Sequence, residues 1–181
     1  MPKPTREAFR AALTPAAVRT LQVVYMAIAT GVGLFAIVVV ALFAWQTGDV
    51  APTETRLSLV RFLTLAHVLT AATVYLFAAS LVYRKVLETE APDAGTNAGE
   101  EALKRIRTAE IVRLALFEGA AMLGLVTCLM GAIFGVLREA PVYWLNLFST
   151  FVLLGFVGRN FPTSDRLEAV FRTYIEGRPG G

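Results

Sequence analysis

Four long apolar runs constrain this chain more than any other feature of its sequence. They cover residues 20–45, 62–83, 114–137 and 140–158. Each approaches or exceeds the roughly 20 residues that a helix needs to cross a hydrocarbon core of about 30 Å. The first, second and fourth runs contain no Asp, Glu, Lys or Arg. The pattern predicts an all-α polytopic membrane protein, an antiparallel bundle of four transmembrane helices.

The composition leaves little room for a separate soluble domain. Of the 181 residues, 56% are hydrophobic and only 17% are charged, which is unusual for a soluble domain of this size. We therefore expect a single membrane domain over residues 1–181, with a linker at 84–108 and a tail at 159–181. The first twenty residues lack the continuous apolar segment of a signal peptide, so we expect the first run to remain as a span.

The basic residues predict the topology. Fourteen of the 17 Lys and Arg residues lie before the first run, between the second and third, or after the fourth. Only Arg56, Arg61 and Arg138 lie in the other connections. By the positive-inside rule, both termini and the linker face the cytoplasm, and the protein belongs in a bacterial inner membrane. Because topology accounts for these charges, we expect no nucleic-acid partner. The expected partners are the lipid bilayer and either other membrane subunits or further copies of the chain.

The segments before, between and after the apolar runs also predict local structure. Residues 4–19 predict a short helix at the membrane surface, and 164–175 predict an amphipathic tail helix capped by Ser164 or Asp165. Residues 88–101 combine Pro, Gly, Asn and acids without apolar periodicity, which predicts an unstructured segment, and the third long helix is expected to begin near Glu100, before the membrane. The turn at 138–141 is so short that the third and fourth long helices must be antiparallel neighbours.

Glu118 is the one charged residue inside the third run. Counted from Leu114 at 1.5 Å per residue, it lies about 6 Å into the run, in the cytoplasmic half. A carboxylate in hydrocarbon is costly, so we expect it to face the bundle interior and find a partner, or to stay protonated. Seven polar residues of the other helices lie at its level and are its candidate partners: Gln22, Tyr25, Thr30, Ser80, Tyr83, Arg159 and Asn160.

His67 and Cys128 do not suggest further chemistry. His67 lies toward the outer end of its helix, on the order of 20 Å from Glu118, which argues against a shared metal or proton site. We expect it to form a hydrogen bond to a neighbouring helix. A single cysteine excludes an internal disulfide or a cysteine metal cage, and Cys128 is interpreted as a packing residue. The sequence contains no Walker loop, Rossmann fingerprint, HExxH or GxSxG motif, so we expect a non-enzyme without cofactor or metal.

The first and third runs are similar to each other. Residues 25–38, YMAIATGVGLFAIV, align without gaps to 113–126, RLALFEGAAMLGLV, and Thr30 then matches Glu118. One interpretation is a duplication that produced two related hairpins, of which only the second has the acid. The other is chance similarity between two apolar helices.

Residues 114–126, LALFEGAAMLGLV, resemble the carboxylate-bearing helix of the rotary ATP synthase c subunit, the proteolipid. The positions that match the family pattern are Leu114, Ala115, Glu118, Gly124, Leu125 and Val126. This resemblance implies that Glu118 is a reversible proton or sodium site. The chain also resembles uncharacterised four-helix bacterial inner-membrane proteins with an acidic residue in the third helix.

Two functional hypotheses follow from the sequence. In the first, the chain is a non-enzymatic accessory or structural membrane subunit, and Glu118 is an interhelical polar lock. The alternative is a proton- or sodium-handling, proteolipid-like protein in which Glu118 titrates.

Overall fold

The computed structural model describes residues 5–46, 51–88 and 98–176, and within these ranges the regular structure is entirely helical. The all-α prediction is therefore confirmed for the described residues. A four-helix description is too coarse, because short helices accompany the long ones. In chain order the helices are α1 (Arg6–Ala12), α2 (Pro15–Trp45), α3 (Glu54–Glu88), α4 (Ala98–Ile133), α5 (Val136–Glu139), α6 (Pro141–Arg159) and α7 (Ser164–Phe171).

Helices α2, α3, α4 and α6 are each long and apolar enough to cross a membrane. Three of them extend well beyond the predicted runs, because the charged residues that flank an apolar run are good helix formers. Both helices that the predicted linker at 84–108 joins therefore extend into it. Helix α3 continues to Glu88, and α4 begins at Ala98, close to the start predicted near Glu100, so residues 98–101 of the predicted unstructured segment are helical. Residues 89–97 of that segment lie outside the described residues.

Threonine side chains begin four of the helices. In each case the hydroxyl accepts a hydrogen bond from the backbone N–H three residues later, which satisfies one of the free donors of the first turn. The capping residues are Thr5, Thr14, Thr53 and Thr163. The tail helix is thus capped one residue earlier than predicted. The helix predicted over 4–19 is two helices, since Pro15 occupies the first turn of α2 and the chain breaks before it.

Gly135 divides the predicted third span. Helix α4 ends at Ile133, and Gly135 has a φ of 76°, a left-handed conformation that favours glycine. The chain then forms the short helix α5 where the sequence predicted α4 to continue to residue 137. Helix α6 begins as a 3₁₀ helix over Pro141–Leu147 before it becomes α-helical.

Helix α4 is the centre of the molecule. In the most apolar 18-residue stretch of α4, 50% is buried inside the molecule, whereas the corresponding share for α2 is 11%. Helices α2, α3 and α6 all pack against α4, whereas α2 and α3 scarcely touch each other. The packing of α4 with α6 agrees with the prediction that they are neighbours. The arrangement does not resemble two equivalent hairpins, because one central helix supports all the others.

The two ends of the chain pack together as a terminal cap, formed by α1, α7 and the first turns of α4. The rings of Phe9 in α1 and Phe171 in α7 stack with their centroids 4.4 Å apart, and both are fully buried. A Cβ at Gly99 of α4 would lie 2.1 Å from the carbonyl oxygen of Ala8. The apolar face of α1 therefore packs on protein, where the sequence suggested a helix lying on the membrane surface.

An ion cluster holds the cap. Glu168 of α7 accepts hydrogen bonds from Arg10 and Arg6 of α1, and Arg172 lies 4.0 Å away. The hydrogen bonds from Arg10 and then Arg6 lower the pKa of the Glu168 carboxyl below its usual value. The N-terminal and C-terminal segments are thus joined by charge as well as by stacked rings.

Candidate functional site

Glu110 of α4 is fully buried, and three side chains from other helices bind its carboxylate. The hydroxyl of Tyr25 in α2 donates to Oε2 at 2.5 Å, and the hydroxyl of Tyr83 in α3 donates to Oε1 at 3.1 Å. Nη2 of Arg166 in α7 donates to Oε1 at 3.1 Å. One carboxylate therefore connects α2, α3 and α7 to the central helix. We call these four residues the polar lock.

The connection between α6 and α7 positions the arginine of the lock. Asn160, directly after α6, accepts a hydrogen bond from Arg166 Nη2 at 3.2 Å. Its own amide donates to the carbonyl of Phe156 at 2.9 Å, which fixes its orientation. Gln22 of α2 donates to the carbonyl of Pro162 at 2.9 Å. These bonds join the last long helix to the lock as well.

Arg113, one turn after Glu110, adds a second cation to this end of the bundle. Its guanidinium lies 5.1 Å from the ring centroid of Tyr83 and 4.8 Å from that of Phe156, within the range of cation–π attraction. The Arg113 guanidinium thus lies against the ring of one lock tyrosine, while the ion pair of Glu110 is with Arg166. Removing one member of a buried charge pair leaves the other uncompensated, so the lock is a strongly coupled unit.

Glu118 lies two turns further along α4 and has a different environment. It is half-buried, and its side chain makes no hydrogen bond or ion pair with any described residue. On the same side of the helix, Ile111, Ala115 and Gly119 are exposed at four-residue intervals. A Cβ added at Gly119 would meet nothing within 4 Å. We call Glu118 and these three residues the open face.

None of the predicted partners of Glu118 contacts it. Tyr25 and Tyr83 bind Glu110, while Gln22 and Asn160 support the α6–α7 connection. The other three are exposed and their side chains form no hydrogen bond or ion pair within the described part of the chain: Thr30, Ser80 and Arg159. The two tyrosines do bind an acid of α4, but it is Glu110, eight residues before Glu118 and about 12 Å away along the helix.

Sequence reasoning missed Glu110 because it lies four residues before the uncharged part of the third run. The surrounding segment, KRIRTAEIVR, carries a charge on almost every turn and resembles a solvated helix end. Two signals pointed to it. Tyr25 and Tyr83 stand near the predicted cytoplasmic ends of two apolar helices, where a buried hydroxyl needs a partner at that level.

His67 is the centre of a second polar group, which lies further along α4 at Gly124. Its Nδ1 lies 2.7 Å from Asn146 Oδ1, and its Nε2 lies 2.7 Å from Ser149 Oγ. The Asn146 amide donates to Thr64 and to the carbonyl of Tyr143, which leaves Oδ1 as an acceptor for the imidazole. The prediction that His67 bonds to a neighbouring helix is confirmed, with α6 as that helix.

Gly124 permits this contact. A Cβ there would lie 2.3 Å from the carbonyl oxygen of Asn146 and 2.9 Å from His67 Nε2. His67 therefore approaches α4 only six residues beyond Glu118, about 9 Å along the helix axis. The sequence estimate of their separation, on the order of 20 Å, was therefore too large. The two side chains nevertheless have no contact.

The remaining ligand-type residues are scattered. Across the three described ranges, no group of three or more His, Cys, Asp and Glu side chains could hold a metal ion. Cys128 is a free, buried thiol whose sulfur lies 3.6 Å from the carbonyl oxygen of Tyr143.

No protein-family model, curated protein or solved structure matches the chain. The resemblance of α4 to the proteolipid helix therefore stays a prediction.

Proposed function

We propose that the chain is a non-enzymatic integral membrane protein, an accessory or structural subunit whose helices are held in register by the polar lock. The observation that carries this proposal is the burial of Glu110 with partners from α2, α3 and α7. Interhelical hydrogen bonds of this kind stabilise helix association where water cannot compete for the polar groups. The lock thus takes the role that the sequence assigned to Glu118.

We place the protein in a bacterial inner membrane with the terminal cap and the polar lock on the cytoplasmic side. The basic residues concentrated around this end of the bundle support that orientation. Single cysteines introduced at Ser164 and at Thr53, in a Cys128→Ala background, test it. An impermeant maleimide applied to intact cells should label only the position near Thr53. Labelling only at Ser164 would reverse the orientation.

A second candidate function is proton or sodium handling at Glu118. Its support is the missing partner, because a half-buried, unpaired acid on an apolar face is free to exchange a proton or cation. The resemblance to the proteolipid helix assigns the same role to this residue. Under this hypothesis the polar lock would hold the helices, and Glu118 would titrate beside them.

Ion flux in liposomes separates the two functions. Purified wild-type protein is reconstituted, and proton and sodium movement are followed under a membrane potential. The structural proposal predicts no flux above that of protein-free liposomes. Flux that is present in the wild type and lost in Glu118→Gln would contradict it and support the second candidate. Glu118→Gln keeps the hydrogen-bonding shape of the side chain, so its loss of flux would report ionisation.

A further inference from the structure

The open face differs from the rest of the apolar surface because it presents an unpaired acid. Glu118 has no partner within the described chain, although Glu110 on the same helix has three. Leaving a carboxylate unpaired against lipid is unfavourable, whereas a donor or cation from outside would compensate it. Within the described residues, the Glu118 carboxylate therefore has no hydrogen-bond donor and no counterion.

The shape of the open face suits the approach of a helix. Ala115 and Gly119 are exposed beside Glu118, and no atom of the described residues lies within 4 Å of a Cβ placed at Gly119. Small residues at such spacing let two helix backbones come close within a membrane. A close approach also shortens the distance from a partner side chain to the carboxylate.

Charge complementarity decides what occupies this face. None of the four runs contains Lys or Arg. Arg159 lies beside Asn160 at the level of Glu110, about 12 Å from Glu118 along α4. The spans of a second copy in the same orientation therefore have no cation to offer at this depth. We infer that the open face docks a transmembrane helix of a different membrane protein, and that this helix presents an Arg or Lys to Glu118. The inference rests on the proposed function, since it supplies the partner that an accessory subunit requires.

A designed peptide tests the inference without knowledge of the natural partner. The probe is a Leu/Ala-rich transmembrane peptide without Trp, with one central Arg and a dansyl label at one end. Its control carries Leu in place of Arg. Binding in liposomes is measured by energy transfer from the protein's own Trp45 and Trp144. We expect the Arg peptide to bind the wild type about tenfold more tightly than the Leu peptide, the size of one strong interhelical polar contact.

Variants of the protein distinguish binding at the open face from nonspecific binding of the peptides. Glu118→Gln should remove the preference for Arg, and Gly119→Leu should block both peptides. Gly155→Leu is the matched control, because Gly155 is equally open but lies on α6. It should bind like the wild type. Equal affinity for the two peptides, or equal effects of the two glycine variants, would overturn the inference.

A self-association measurement completes the test. Energy transfer between differently labelled copies of the protein that disappears in Glu118→Gln would assign the open face to a second copy and overturn the inference. All variants leave the polar lock intact. Failure of docking is therefore distinguishable from failure of the proposed function, which is judged from the stability of Glu110 variants.

Discussion

Two glutamates of α4 have opposite environments, one on the inward face of the helix and one on its outward face. On the inward face, Glu110 is fully buried and bound by two tyrosines and an arginine. On the outward face, Glu118 is half-buried and unpaired in the described structure. The two residues are eight positions apart, which is about 12 Å along one helix. The burial and bonding of each carboxylate are thus determined by the side chains around it more than by its depth in the bundle.

The largest expected difference between the faces is in stability. Glu110→Leu removes the acceptor of the buried Tyr25 and Tyr83 hydroxyls and of the part-buried Arg166 guanidinium, which keeps only its hydrogen bond to Asn160 among the described residues. We therefore expect a loss of about 3–5 kcal/mol of unfolding free energy. Glu118→Leu removes an unpaired acid from an apolar surface and should change stability by less than about 0.5 kcal/mol, or increase it. Reversible unfolding in mixed micelles measures both. Equal losses would contradict the assignment of the lock.

The tyrosines test the lock one bond at a time. Tyr25→Phe and Tyr83→Phe each remove a hydrogen bond to a charged group and keep the ring, so each should cost about 1.5–3 kcal/mol. Ser80→Ala, an exposed hydroxyl on α3, is the control and should stay within about 0.5 kcal/mol of the wild type. A control variant as damaging as the tyrosine variants would argue against specific bonding to Glu110.

Two glycines of α4 extend the comparison to packing. Gly124→Ala forces a methyl group against Asn146 and His67, and we expect a loss of about 1–3 kcal/mol. Gly119→Ala adds the same methyl group over open space and should stabilise the helix by about 0.5–1 kcal/mol. Thermal unfolding in detergent compares them. Opposite signs are predicted, and a neutral Gly124→Ala would show that α6 does not approach α4 as described.

The smallest effect concerns the terminal cap and depends on pH. The folded-state pKa of Glu168 is lowered, chiefly by hydrogen bonds from Arg10 and Arg6. Its contribution to stability is therefore present above the unfolded carboxyl pKa and is lost as the pH falls through the folded value. Amide exchange in α1 and α7 should accelerate over that acid range. Glu168→Gln should remove this dependence, while Asp165→Asn should retain it.

The sequence was sufficient for the long helices because their signal is local. An uncharged run of about 20 residues permits few other structures, and the structure contains a helix at each predicted run. The helix ends were less predictable. The start of α4 was predicted within about two residues, but its end at Ile133 was not, because a glycine inside an apolar run does not by itself show that the helix stops there.

The site was only partly predictable for a related reason. Tyr25 and Tyr83 were predicted as partners of Glu118, but they bind Glu110, which lies eight residues earlier on the same helix. Selecting Glu110 over Glu118 requires the rotation of α4 about its axis, which places one acid inward and the other outward. Arg166 comes from α7, a short helix beyond the last span, so its role depends on a turn that the sequence did not specify.

A thermodynamic cycle tests the central claim most directly. Unfolding free energies are measured for Glu110→Gln, Arg166→Gln and the double variant, and a matched cycle replaces the first substitution with Glu118→Gln. Bonding within the polar lock predicts a coupling of about 1 kcal/mol or more for Glu110 with Arg166, and a coupling near zero for Glu118 with Arg166. A negligible first coupling, or a second coupling of the same size, would contradict the distinction between the two faces of α4.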